Sequence, residues 1–415
     1  MIRLLLLFVA LLPLAVDFSG LRPFEPIKIH LLETAIALAT LVAAIAVLFR
    51  RKQFLNRLSG IHWLDVWVVI LFTTQAIGTV FSINPAISFW GSAERGTGLV
   101  FMASVTTLYF LVRFLATRDD WIWFSGATLV TVSAVSLYAI LQAIHRDVPQ
   151  FVDAFLLYGA HGPARAFATL GHPNFLGAYL AMALPFGILF WNAFPKRSYR
   201  IVVSIASALG IVALLLTYSR GAWAGFFVGG FVTVILLRHS AWKKMLTAGG
   251  AVVLGLIFLS FVISSSAPLL ARIGSTFDTT NGSTKARLDE WRYAPKLLPQ
   301  RLITGFGPGT YGEFSEDRQK DPGSDPSYAD RLHNLFLDTL WNSGLIGLIA
   351  LLGVLGAAIL RLHVLLKENR MCAAPFAGVL ASYIVLTQVS FDFSISSALF
   401  FIALAGLSLN KTTRV

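Results

Sequence analysis

The sequence predicts an all-α integral membrane protein, and two observations support this fold class. Of the 415 residues, 56% are hydrophobic and only 13% are charged, and the mean hydropathy is +0.72. A soluble globular chain has about 25% charged residues. In addition, the apolar residues gather in runs of about 20, the length that a helix needs to cross a bilayer. We therefore predict a single polytopic membrane domain over residues 1–415.

Twelve apolar runs predict about twelve transmembrane helices. They cover residues 4–20, 29–49, 62–81, 98–115, 121–144, 172–194, 201–218, 222–237, 245–265, 335–360, 372–390 and 394–409. The first run is similar to a signal peptide, because Arg3 precedes a stretch of leucines. No clean small-x-small cleavage site follows it, so we interpret it as a retained first helix.

The basic residues predict how these helices are oriented, because Lys and Arg concentrate in the cytoplasmic loops of membrane proteins. If the N-terminus is cytoplasmic, seven short segments on that side hold 18 of the 33 basic residues and only three carboxylates. Both termini are therefore predicted to be cytoplasmic. The long loop 266–334, between predicted helices nine and ten, then lies on the outer side of the membrane.

The remaining composition bears on the possible ligands. The net charge of +12 is explained by membrane orientation, so we expect no nucleic-acid partner. The single cysteine, Cys372, excludes an intramolecular disulfide and a thiolate metal cluster. The eight histidines fall on both predicted sides of the membrane and show no HExxH or other paired spacing, and there is no Walker or GxGxxG loop. We therefore expect neither a metal nor a cofactor.

Several arginines lie on the predicted outer side, where the positive-inside rule disfavours them. Binding of an anion would explain their presence. Arg220 lies in a very short turn between two apolar runs, next to Ser219. A guanidinium group binds phosphate through two parallel hydrogen bonds, which suits it to such a site. Arg287, Arg165 and Arg95 are further candidates, and the alternative for each arginine is a solvated or headgroup-level side chain.

One histidine stands where the polar outer loop ends and a long apolar run begins. If a helix begins near Asn334, the positive end of its dipole lowers the pKa of His333 and keeps the ring neutral near pH 7. A neutral imidazole can accept a proton from an alcohol. The alternative is a boundary residue in the polar interface.

Two further patterns concern local structure. Residues 286–298 predict a short amphipathic helix that places Arg287 and Trp291 on one face. The segment His172-Pro173-Asn174 is typical of a helix N-terminus, and we interpret it mainly in that way.

Taken in order, the outer motifs resemble the bacterial O-antigen ligase and polymerase superfamily of membrane glycosyltransferases. The matching elements are Glu94-Arg95-Gly96, Arg165, Gly171-His172-Pro173-Asn174, Ser219-Arg220-Gly221, Arg287 with Trp291, Gly305-Phe306-Gly307-Pro308-Gly309, and His333-Asn334. Each motif is short, but their order and their shared placement on the outer face make the set fairly specific. The resemblance covers most of residues 70–350.

The resemblance implies a GT-C-like, metal-independent transferase of the bacterial inner membrane with a periplasmic active site. Its donor would be a glycan on undecaprenyl diphosphate, and the acceptor of a ligase would be a sugar hydroxyl of lipid A-core oligosaccharide. His333 would be the catalytic base, Arg220 and Arg287 would bind the diphosphate, and Arg165 and Arg95 would lie near the same site. Supporting roles would fall to Asn334, Ser219, Trp291 and Asn174. A direct displacement would invert the anomeric centre.

Three other functions stay open at this point. A polymerase would join repeat units that are still on the lipid carrier, but such enzymes tend to have two sizeable outer loops. A protein O-oligosaccharyltransferase would often have additional C-terminal sequence. A lipid-linked glycan transporter would need polar residues near the middle of its spans, whereas the charges here lie mainly at the outer rim.

Overall fold

The computed structural model describes residues 1–17, 24–58, 60–93, 95–145, 165–237, 282–314, 329–390 and 392–408. Within these ranges the chain is helical and contains no strand. The predicted ninth span 245–265, most of the predicted outer loop 145–171, parts of the loop 266–334 and Glu94 lie outside the described residues.

The described helices follow the predicted apolar runs. They are α1 (Ile2–Leu11), α2 (Glu25–Leu58), α3 (Trp63–Val80), α4 (Pro85–Trp90), α5 (Leu99–Leu115), α6 (Arg118–His145), α7 (Pro173–Ala183), α8 (Gly187–Ala193), α9 (Arg197–Leu216), α10 (Arg220–Leu237), α11 (Gly282–Leu297), α12 (Leu335–Glu368), α13 (Arg370–Leu386) and α14 (Ser394–Leu407). Helices α7 and α8 are joined by the short 3₁₀ turn Leu184–Phe186 and form one apolar span.

Seven of the described segments are long and apolar enough to cross a membrane. Four more apolar helices are shorter, at Ile2–Leu14, Leu99–Leu115, Arg370–Leu386 and Ser394–Leu407. These findings are those of an integral membrane protein, while the total of twelve spans and their orientation stay predictions. The first predicted span is shorter than expected, because its helical part ends in a 3₁₀ turn that contains Pro13.

Helix α12 is not continuous, although the sequence suggested one uninterrupted run. Gly344 has a φ of 63°, which breaks the helix. The chain of the large outer loop fills the break: the N–H of Phe306 donates to the carbonyl of Trp341 at 2.7 Å, and the N–H of Leu345 donates to the carbonyl of Leu302 at 2.8 Å. In an unbroken helix Leu345 would bond to Trp341 instead. The first two turns of α12 are therefore fixed to the outer loop.

Small residues allow the backbones of α10 and α13 to approach each other closely. A Cβ atom on Gly229 would lie 2.0 Å from Ser382 Oγ, and one on Gly378 would lie 1.9 Å from Thr233 Oγ1. Close packing through glycine and serine is a common way for helices to associate in membranes. Lipid chains are as apolar as the side chains there, so van der Waals contact between the helices drives association instead of the hydrophobic effect. This contact fixes the N-terminus of α10, where Arg220 lies, relative to the end of α13.

Polar contacts gather at two ends of the bundle. At one end, Arg3 donates to Asp120 at 3.0 Å, and both residues belong to segments predicted to be cytoplasmic. At the other end, Arg95 forms an ion pair with Asp330 at 2.7 Å, and both belong to segments predicted to be periplasmic. The predicted outer segments thus meet at the end where α10 and α12 begin.

Candidate functional site

The turn that precedes α12 holds His333 in a backbone conformation that is unusual for a residue with a side chain. Its φ is 54°, in the left-handed region that glycine favours. The next residue, Asn334, caps α12 by accepting from the N–H groups of Phe336 and Leu337, each at 3.1 Å. Asp338 accepts from the N–H of Leu332 at 2.9 Å. The turn is therefore fixed on both sides of His333.

A side chain from the outer loop ties this turn to helix α11. Trp291 Nε1 donates to the carbonyl oxygen of Leu332 at 2.7 Å. Arg287 lies four residues earlier on α11, so one hydrogen bond sets the distance between this helix and His333. The predicted helix at 286–298 thus exists as α11, and its tryptophan positions the helix.

The turn between α9 and α10 supplies a second arginine. Tyr218 has a φ of 48°, and α10 begins two residues later at Arg220. Arg220 donates through a terminal guanidinium nitrogen to Thr284 Oγ1 at 3.2 Å, which connects this turn to α11 as well. The glycine that follows lies against α13, because a Cβ on Gly221 would be 2.8 Å from a methyl carbon of Val389.

The segment before α7 supplies the third arginine. Arg165 donates through Nε to the carbonyl of Thr217 at 2.9 Å and through a terminal nitrogen to Asn174 Oδ1 at 3.0 Å. His172 caps α7, since its Nδ1 accepts from the N–H of Asn174 at 3.1 Å. Arg165 therefore connects the start of α7 to the turn before α10.

These three segments and the His333 turn enclose one cavity of about 260 Å³. Six of the predicted site residues line it: Arg165, Asn174, Ser219, Arg220, Arg287 and His333. His172 also lines it, which the sequence analysis did not expect of a helix cap. Among the described residues that line this cavity there is no carboxylate, and three guanidinium groups share one small space. Such an arrangement favours a polyanion.

The two histidines in the cavity have different tautomers. His333 Nδ1 lies 3.1 Å from the carbonyl oxygen of Arg331, and a carbonyl can only accept, so this nitrogen carries the proton. A neutral His333 ring therefore has its lone pair on Nε2. In His172 the capping Nδ1 accepts, so a neutral ring carries its proton on Nε2. One ring can accept a proton and the other can donate a hydrogen bond.

Both rings are neutral at ordinary pH. Burial, followed by the charge of Arg287, lowers the pKa of His333 from 6.5 to about 4, although Asp330 acts in the opposite direction. Burial, followed by the charges of Arg165 and Arg95, lowers the pKa of His172 to about 4. The two groups therefore keep the tautomers that their hydrogen bonds select.

Three predicted site residues do not line the cavity but support it. Asn334 and Trp291 fix the His333 turn, as described above. Arg95 pairs with Asp330, three residues before His333, and its guanidinium carbon lies 5.7 Å from the ring centre of Phe175. Burial alone would raise the pKa of Asp330, but the charge and the hydrogen bond of Arg95, together with the charge of Arg331, outweigh it and the pKa is lowered. Asp330 therefore stays charged as the partner of Arg95.

A second, smaller cavity of about 120 Å³ adjoins the first, and Ser390 lines both. It contains Arg331, Asp338 and Asp392. Asp392 accepts from Tyr383 Oη at 3.0 Å. The sequence analysis missed these carboxyl groups, although an acidic residue in or beside an apolar run is a sign of a functional site. Among the described residues, no group of three or more His, Cys, Asp or Glu could hold a metal ion.

Comparison with known families agrees with the resemblance inferred from the sequence. Residues 205–352 match the family model described as O-antigen ligase. The matched region contains Arg220, Arg287 and His333, whereas Arg165 and His172 precede it. No curated protein matches the chain. The match supports an O-antigen ligase-like family of membrane enzymes, and it does not distinguish a ligase from a polymerase.

The three arginines predict that the cavity binds inorganic diphosphate. We expect diphosphate to raise the melting temperature of the purified protein, because a ligand that binds only the folded state stabilises it. Arg287→Gln should weaken this binding about tenfold, as the loss of a charged hydrogen bond does. Arg292→Gln is the matched control, since Arg292 lies on the same helix with its side chain 77% exposed. An equal loss in both variants would contradict binding in the cavity.

Proposed function

We propose that this O-antigen ligase-like membrane protein transfers a glycan from undecaprenyl diphosphate to a sugar hydroxyl of lipid A-core oligosaccharide, on the periplasmic side of the inner membrane. The observation that carries the proposal is one cavity in which three arginines surround a neutral histidine ring. The cavity lies at the end of the membrane-spanning helix α10, so a polyprenyl chain can stay in the bilayer while its diphosphate reaches the arginines.

The arginines would stabilise the leaving group. As the bond between the anomeric carbon and the diphosphate oxygen breaks, negative charge develops on the diphosphate. Arg220 and Arg287 approach from different elements and are held together through Thr284. Fixed donors at the place where charge develops lower the barrier, and the loss of one such donor typically costs 10²–10³ in rate. Arg165, in the segment before α7, would be the third arginine to stabilise the diphosphate.

His333 would be the general base. The acceptor hydroxyl oxygen attacks the anomeric carbon, the carbon–oxygen bond to the diphosphate breaks, and the hydroxyl proton moves to Nε2 of His333. The hydrogen bond from Nδ1 to Arg331 selects the tautomer that this step needs. After the transfer, the protonated ring would return its proton to solvent or to the diphosphate. Attack on the side opposite the leaving group inverts the anomeric centre.

His172 would act from the donor side. Its Nε2–H can donate to a diphosphate oxygen, because its Nδ1 is occupied by the N–H of Asn174. The role of His172 as a helix cap and its role toward the donor use different nitrogens, so they do not compete. We therefore add His172 to the proposed donor-binding residues, next to Arg165 and Asn174.

The acceptor distinguishes a ligase from the other functions. The purified protein in liposomes is incubated with glycan on undecaprenyl diphosphate, with and without lipid A-core. A ligase should form glycan-bearing lipid A-core, and His333→Ala should reduce its rate by about 10²–10⁴, as expected for a lost general base. Longer lipid-linked chains without lipid A-core would identify a polymerase. Transfer that survives His333→Ala unchanged would exclude His333 as the base.

The pH dependence of this transfer should report the unusual pKa of His333. With a pKa of about 4, the ring stays neutral until the pH falls well below the 6.5 of an ordinary histidine. We expect kcat/KM to decline only as the pH approaches about 4, since this ratio reports the free enzyme. Arg287→Gln removes a charge that lowers the pKa, so the decline should begin at higher pH, whereas Arg292→Gln should leave the profile unchanged. A decline near pH 6.5 in the unaltered protein would contradict this prediction.

A single substitution can separate the two roles of His172. Asparagine is a good N-cap residue, so His172→Asn should keep the cap and the melting temperature. It lacks the Nε2–H of the ring, and we expect the transfer rate to fall about 10²-fold. His172→Ala should lose both the helix cap and the donor to the diphosphate, and the loss of the cap should lower the free energy of unfolding by about 1 kcal/mol. If His172→Asn transfers as fast as the unaltered protein, the ring has no role toward the donor.

A further inference from the structure

A third cavity lies at the opposite end of the bundle from the arginines. Helices α3 and α12 pack closely along their middle, where a Cβ on Gly353 would lie 2.2 Å from the ring of Trp67. Toward the N-terminus of α3 and the second half of α12, the helices leave a cavity of about 410 Å³ between them. Two nitrogen-bearing side chains, the imidazole of His62 and the guanidinium group of Arg361, line it. Neither belongs to the proposed donor site.

The mouth of this cavity is apolar and exposed. Trp63 is 73% exposed, and Ile61 and Leu360 are exposed to a similar extent. Val364 lines the same mouth and is also exposed. Exposed tryptophan and aliphatic side chains at the end of a membrane helix are typical of contact with lipid at the interface. The mouth therefore suits acyl chains, while the basic residues lie further in.

The charge inside the cavity is positive. Two carboxylates, Glu368 and Asp65, attract Arg361. Asp65 is already engaged, because it lies 3.4 Å from Arg113 Nε and accepts from Tyr109 Oη at 2.6 Å. Arg361 Nε is buried and has no hydrogen-bond partner among the described residues. Glu368, two helical turns further along α12, is exposed. One guanidinium group at this end is thus not matched by a buried carboxylate within the described part of the chain.

The positive charges of this region also act on the neighbouring histidine, His62. Burial, followed by the charges of Arg361 and Arg113, lowers the pKa of His62. In the sequence, four basic residues precede α3: Arg50, Arg51, Lys52 and Arg57. Basic clusters beside a membrane helix on the cytoplasmic side attract anionic lipids.

We propose that this cavity binds the headgroup of an anionic phospholipid of the cytoplasmic leaflet, with its phosphate between His62 and Arg361. The acyl chains would lie along Trp63, Leu360 and Val364. The charge selects an anionic headgroup, and the apolar mouth selects a lipid over a free anion. This site would be separate from the donor cavity, so it does not depend on the proposed transfer reaction.

Native mass spectrometry of the full-length protein tests the proposal. The protein is released from nanodiscs that contain equal amounts of phosphatidylglycerol and phosphatidylcholine, and the lipids that stay bound are counted. We expect one phosphatidylglycerol to be retained selectively, and Arg361→Gln to reduce this selectivity about fivefold. Lys367→Gln is the control, because Lys367 lies on the same helix, carries the same charge and is exposed. It should leave the selectivity unchanged.

A second variant tests the cavity without changing charge. Val364→Trp fills the mouth and should also abolish selective retention, and its melting temperature shows whether it folds. Equal retention of both lipids by the unaltered protein would overturn the proposal. Equal losses in Arg361→Gln and Lys367→Gln would overturn it too, because they would indicate general surface charge. If inorganic phosphate at millimolar concentration displaces the lipid, the cavity is a site for a simple anion and the lipid assignment is wrong.

Discussion

The candidate site depends on two hydrogen bonds made by the backbone of Leu332. Its N–H donates to Asp338 on α12, and its carbonyl accepts from Trp291 on α11. Leu332 is fully buried, so each group would be costly to leave without a partner. One residue thus connects a membrane-spanning helix to the helix of the outer loop. The residue that follows it is His333.

This connection explains how a histidine can hold a left-handed backbone conformation. A residue with a side chain in this region costs about 1–3 kcal/mol, and the surrounding contacts must supply that energy. Here the cap of Asn334, the bond of Asp338 and the pair of Arg95 with Asp330 all act within five residues of His333. In this conformation Nδ1 donates to the carbonyl of Arg331, and that hydrogen bond selects the tautomer.

The sequence predicted the apolar runs well because bilayer thickness imposes their length. It also predicted that His333, Arg220 and Arg287 lie on one side of the membrane, and the structure brings all three to one cavity. It could not predict the break in α12, because that break depends on the loop residue Phe306 reaching Trp341. Nor could it assign Arg95 to Asp330, which is more than 230 residues away in the chain.

The interpretation of His172 shows a more general limit. The pattern His172-Pro173-Asn174 predicted a helix cap, and the ring does cap α7. A sequence pattern assigns one role to a residue, whereas an imidazole has two nitrogens that can serve two roles. Arg165 holds this cap at the cavity, because it donates hydrogen bonds both to Asn174 and to the carbonyl of Thr217.

The electrostatics of the cavity suggest why its walls come from so many segments. Among the described residues no carboxylate lines the cavity, so its three guanidinium groups repel one another. Hydrogen bonds connect Arg165 to Thr217 and Arg220 to Thr284, and Arg287 extends from α11. A diphosphate would relieve this repulsion and would join the outer-loop helix α11 to the start of α10. The stabilisation by the arginines would grow as negative charge develops on the leaving group, and interactions that are stronger in the transition state than in the ground state are the ones that accelerate the reaction. The same arrangement of arginines would therefore favour departure of the diphosphate.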